Sequence, residues 1–63
     1  MRQWSTCKVE DVRLGNIISI GGITDEVTGK QPSGRGGNEY VFLDLRDSGR
    51  IEEWRERFVE VYR

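Results

Sequence analysis

The segment Gly29-Lys30-Gln31-Pro32-Ser33-Gly34-Arg35-Gly36-Gly37-Asn38 is where this chain comes nearest to a phosphate-binding pattern. Backbone amides of a glycine-rich loop can surround an anion, and Lys30 and Arg35 would add positive charge. The spacing does not make a P-loop. Gly29-Lys30 is followed by Gln31-Pro32 rather than by Ser or Thr opening a helix, and the residues after it read as a strand. Arg35-Gly36-Gly37 is a single copy of a tripeptide that RNA-binding tails use in many copies. The composition predicts a flexible loop over 29–38 joining two strands, with charge-driven ligand contact as its one functional option.

The carboxylates are the next group to weigh. Asp44, Asp47, Ser48, Gly49 and Glu52 cluster as calcium ligands do, but aligning Gly49 with the obligatory glycine puts Arg46 and Arg55 where oxygen ligands are needed. Glu52, Glu53, Glu56 and Glu60 are interleaved with Arg50, Arg55, Arg57 and Arg63, which predicts a solvated, mutually screened face rather than a desolvated acid/base pair. With no His and only Cys7, zinc sites, Ser/His/Asp and Cys/His nucleophile systems and histidine bases each lack a member. The expectation is a non-enzymatic chain with no catalytic residues, no metal and no cofactor.

Aromatic side chains are the more informative group. Trp4, Tyr40, Phe42, Trp54, Phe58 and Tyr62 are many for so short a chain, and Val41, Leu43, Leu45, Ile17, Ile20, Val59 and Val61 suffice to fill its interior. Some aromatics should therefore reach the surface, where Trp and Tyr bury much area on binding at low entropy cost. The candidate binding residues are Trp4, Lys30, Arg35, Tyr40 and Trp54.

These residues must be positioned by a chain of 63 residues that contains no Ala. Such a length makes a single small domain, 1–63, and buries only about 60% of the surface exposed on unfolding, so a partner subunit would be useful to it. A lone cysteine cannot staple the fold, which points to a reducing, cytoplasmic compartment. Net charge −1 argues against a generally basic nucleic-acid binder. Ile17-Ile18-Ser19-Ile20 is far too short to span a membrane, and Met1-Arg2-Gln3-Trp4 does not open a signal peptide, so no membrane partner is expected.

Glycines divide the chain into strands. Asn16 to Ile20 is β-branched, Gly21-Gly22 suits a two-residue hairpin, and Ile23, Asp25 and Val27 alternate with Thr24, Glu26 and Thr28. In Glu39 to Arg46, Val41, Leu43 and Leu45 share one face and Tyr40, Phe42 and Asp44 the other, and Asp47-Ser48-Gly49 then suits a three-residue hairpin. From Arg50 onward two structures compete. Ile51, Trp54, Phe58, Val61 and Tyr62 recur at helical spacing, whereas Arg50 to Trp54 and Phe58 to Tyr62 also read as two strands joined by a bend at Arg55-Glu56-Arg57. Periodicity alone slightly favours the helix, giving an α+β fold with a C-terminal helix at about 50–62.

Leu14-Gly15-Asn16 leading into Ile17-Ile18, a Gly turn, a second strand, a long strand, a Gly hairpin and a terminal Val59-Glu60-Val61-Tyr62 resemble small SH3-like barrel proteins, including many short products of phages and actinobacteria. The match departs at Asn16, where such proteins usually carry Asp. The resemblance implies an all-β barrel of about five strands, the strand reading of 50–62, and no particular activity. The expected function is a non-enzymatic binding or accessory module of phage or mobile-element type. It would engage a protein or a second copy of itself, with nucleic acid as the alternative partner through Lys30 and Arg35.

Overall fold

A computed structural model of the chain describes residues 2–63. Strand β1 (Trp4–Lys8) runs into a 3-10 turn at Val9–Asp11, and β2 (Ile17–Ile20), β3 (Ile23–Pro32), β4 (Tyr40–Leu45), β5 (Gly49–Trp54) and β6 (Phe58–Tyr62) follow. They form one antiparallel sheet in the order β1-β6-β2-β3-β4-β5. The fold is all-β and barrel-like, with six strands. Residues 50–62 form β5, a turn and β6, which overturns the α+β alternative with its C-terminal helix. The apparent helical stripe divides between faces: Val61 is fully buried, whereas Phe58 is 64% exposed.

The turns form where glycine allows them. Gly21 and Gly22 both have positive φ, 56° and 82°, as a two-residue primed turn requires, and Ile20 pairs with Ile23 across them. Gly49 at φ 82° receives the chain from the three-residue loop Arg46 to Ser48, so that Leu45 faces Gly49.

Strand β3 is longer than its sequence announces. Residues 23–26 pair with β2, whereas 27–32 pair with β4, and the register shifts between Val27 and Gly29. That bulge shifts the parity of β3: Ile23, Asp25 and Val27 share one face before it, whereas after it Lys30 and Pro32, both exposed, are the residues set opposite Leu43 and Val41. The flexible loop expected over 29–38 is thereby shortened. Gly29 to Pro32 are in β3, and the connection spans only 33–39. The polar composition hid this, because a strand at a sheet rim needs backbone partners more than apolar side chains.

The interior is aliphatic throughout: Val9, Val12, Ile18, Ile20, Val27, Val41, Leu43, Leu45, Val59 and Val61 are buried, with Cys7, Ile23 and Ile51 packed against them. Ile17, expected inside, is half-buried on the outer face opposite Tyr62, and Ile18 takes the interior position. A run of adjacent isoleucines leaves strand parity ambiguous, and only the register with β6 resolves it. Cys7 is half-buried opposite Val59, and burial pushes its thiol pKa up.

Among the described residues one polar side chain, Asp25, is buried with this core. Asp25 accepts backbone N–H bonds from Glu26 at 2.7 Å on one oxygen, and from Asp47 at 2.9 Å and Ser48 at 2.8 Å on the other. Its carboxylate thus ties the β2–β3 hairpin to the turn of the β4–β5 hairpin. Burial alone would raise its pKa, but the bonds from Asp47, Ser48 and Glu26 outweigh it and the net direction is down.

Two outcomes follow from this packing. Leu43→Ala should cost about 2–5 kcal/mol in chemical denaturation, whereas Phe58→Ala should stay within about 0.5 kcal/mol. For Asp25, the folded carboxyl holds its proton more weakly than the unfolded one. The stabilisation is therefore complete above the ordinary aspartate pKa and lost as pH falls through the depressed folded value. Asp25→Asn should lower the midpoint at neutral pH and flatten the loss of stability on acidification, read by thermal unfolding across the acid range. Equal acid slopes for the two proteins would contradict this role.

Candidate functional site

Strand alternation places Tyr40, Phe42 and Asp44 on the outer face of β4, and pairing sets Trp54, Glu52 and Arg50 of β5 directly opposite them. Two arginines lie over this face. The Arg35 guanidinium sits 4.8 Å from the Tyr40 ring centroid and its Nη1 is 3.1 Å from Glu52 Oε1. The Arg50 guanidinium sits 4.7 Å from the Phe42 centroid while its Nε donates to Asp44 Oδ1 at 2.7 Å. Each cation thus stacks on a ring and pairs with a carboxylate, so that both side chains are held in one orientation. The hydrogen bond from Arg50 holds the Asp44 carboxyl below its usual pKa, and the same bond raises that of Arg50.

Glycine makes room for this arrangement at one place. Gly29 lies opposite Asp44, and a Cβ there would come within 2.6 Å of Asp44 Oδ2. The bulged strand therefore passes under the Asp44–Arg50 pair without displacing it. At the other end of the face, Trp54 is 48% exposed beside Tyr40. A cleft of about 210 Å³ opens next to Tyr40, lined by Lys30, Gln31, Pro32, Asn38 and Val41 as well.

Of the residues expected to bind, Arg35, Tyr40 and Trp54 come together here. Trp4 does not. It lies on β1 at the opposite end of the strand order, packed on Tyr62 with ring centroids 5.2 Å apart. Lys30 has a structural partner: its ammonium donates to the carbonyl oxygens of Glu10 and, at 2.9 Å, of Val12, closing the 3-10 turn against β3. It is therefore not on a mobile loop, and its charge is committed to backbone oxygens. Phe42, Asp44, Arg50 and Glu52 belong to the face although sequence reasoning did not single them out for binding. The alternation of β4 was the signal for the first two, and the hairpin register carries it to the others.

A larger groove, about 650 Å³, is lined by Cys7, Glu10, Asp11, Arg13, Asn16, Lys30 and Arg63. It mixes both signs of charge. Among the described residues no group of three or more His, Cys, Asp or Glu side chains is placed to hold a metal ion. Among the described residues no helix is long and apolar enough to cross a membrane. A scan against protein-family models and searches of curated proteins and of solved structures returned no match.

The two basic residues of the former loop should respond differently to truncation. Arg35→Ala removes an exposed pair and should cost less than about 1 kcal/mol. Lys30→Ala withdraws the donor shared by Glu10 and Val12 and should cost about 1 kcal/mol or more, with increased amide exchange in the 3-10 turn. Thermal denaturation of the two variants gives the order, and the reverse order would contradict the assignment.

Proposed function

We propose that this chain is a non-enzymatic, SH3-like binding module that engages another protein through the outer face of β4 and β5. The observation that carries the reading is the set Arg35, Tyr40 and Trp54. It combines an exposed indole, a ring already covered by a guanidinium, and an adjoining cleft of a size for one apolar side chain. Trp, Tyr and Arg are the residues that dominate protein interfaces, and they do so when held rigid around a pocket.

Charge argues for a protein rather than a polyanion. Arg35 is paired with Glu52 and Arg50 with Asp44, so the face presents as many carboxylates as cations. Phosphate binding would have to break those pairs, and Lys30, the other basic residue of the segment, is bound to backbone carbonyls. A partner that offers an apolar side chain to the cleft and flat surface to Trp54 meets no such cost.

The test is comparative capture from the source cells with wild type, Trp54→Ala and Tyr40→Ala as immobilised baits. A protein retained by wild type should be lost by both variants, and its purified form should bind wild type at least tenfold more tightly than either variant, the scale of a hot-spot truncation. Retention that is indifferent to both substitutions overturns the site. Binding to single- or double-stranded nucleic acid at low salt, with a steep salt dependence, would replace the protein reading with the nucleic-acid one.

A further inference from the structure

We infer that two copies of this chain pair through the β5 edge, antiparallel about a two-fold axis at Ile51, and that the sheet continues from one copy into the other. The inference goes beyond the partner reading and does not rest on it.

Strand β5 lies at the end of the strand order, and residues 49–53 have backbone bonds to β4 alone. Edges of this kind are normally guarded by charged side chains, Lys above all, by Pro, by a bulge or by a covering loop. Gly49-Arg50-Ile51-Glu52-Glu53-Trp54 contains neither Lys nor Pro, and its register with β4 is unbroken over the whole strand. Its charges, Arg50, Glu52 and Glu53, turn away most strands, so this straight edge is a template only for one whose own charges complement them.

The sequence of β5 selects a second copy and one register. A two-fold axis perpendicular to the sheet keeps each face continuous, so residues pair only with others of the same parity. Centring on Arg50 sets Arg50 against itself, and centring on Glu52 sets Glu52 against itself. Both place like charges directly opposite, which is destabilising. Centring on Ile51 sets each Arg50 against the Glu52 of the second copy, two opposite-charge pairs for one axis. On the inner face the same register brings Ile51, half-buried and packed against the core, onto its own counterpart. The intramolecular pairs then extend into a row of alternating sign: Asp44, Arg50, the Glu52 of the other copy, and Arg35 of that copy. The other edge strand, β1, carries Lys8 as its only charge and has no complement to offer itself. Trp54 and Tyr40 stay on the outer face, which the dimer presents twice.

Sedimentation over a wide concentration range tests this with charge reversals. Wild type should be a dimer that dissociates on dilution. Arg50→Glu and Glu52→Arg each make β5 single-signed on its outer face, and each alone should weaken association roughly tenfold or more. An equimolar mixture of the two variants restores both pairs across the axis and should dimerise near the wild-type concentration. Circular dichroism establishes that each variant is folded. In wild type itself, amide protection at β5 should rise with concentration while that of β1 does not, a readout that needs no variant. A wild-type monomer at every concentration, a mixture no tighter than its components, or concentration-dependent protection confined to β1 would each overturn the inference.

Discussion

A single sheet has to supply both walls of its own core, and the chain can do so only if β3 bends. Its first half belongs with β2 and its second half with β4, and the bulge at Val27 to Gly29 is the hinge between them. The carboxylate of Asp25 holds that bend. Situated before the bulge, it reaches the amides of Asp47 and Ser48 in the turn that follows β4, so the two hairpins cannot separate without breaking both of these charge-assisted bonds. Lys30 does the corresponding work after the bulge, where its ammonium ties the second half of β3 to the 3-10 turn. Two opposite charges, one on each side of the hinge, thus satisfy backbone groups of the β4–β5 turn and of the 3-10 turn.

That use of charge also shapes the surface. Because Lys30 serves the backbone and the two arginines of the outer face are matched by Asp44 and Glu52, little free positive potential is left there. What the face offers instead is ring area held still. Stacking fixes the guanidiniums and pairing fixes their direction, so side-chain entropy has largely been lost before any contact is made. Stability and recognition draw on the same residues here, since the pairs that order the face also join β4 to β5 and to the 33–39 connection.

Much of the fold was legible, and the parts that were not have physical reasons. Val41, Leu43 and Leu45 announced β4 and its buried face because alternation is unambiguous when polar residues separate apolar ones. Ile17 and Ile18 gave no such separation, and the interior position fell to the second. Residues 50–62 satisfied a helical period only because a turn at 55–57 shifts the phase between two strands. Gly29 to Pro32 looked like loop because their partners are backbone groups and rims, which composition does not report. For the site, Arg35, Tyr40 and Trp54 were found from residue type, but their meeting depends on the β4–β5 register. Nothing local to Lys30 indicates that the carbonyls of Glu10 and Val12 would claim it.

Among the described residues no aromatic ring is buried in the core, and both indoles lie half in solvent at opposite ends of the strand order, Trp4 on β1 and Trp54 on β5. Tryptophan emission is therefore an indirect gauge of the core, since each ring is about half exposed in the folded chain and its contacts lie at a sheet edge. It is instead a spatially resolved optical probe of the two sheet edges. With one indole replaced by phenylalanine, the remaining emission separates events at one border of the sheet from events at the other, in a molecule too small to carry an external dye without disturbance.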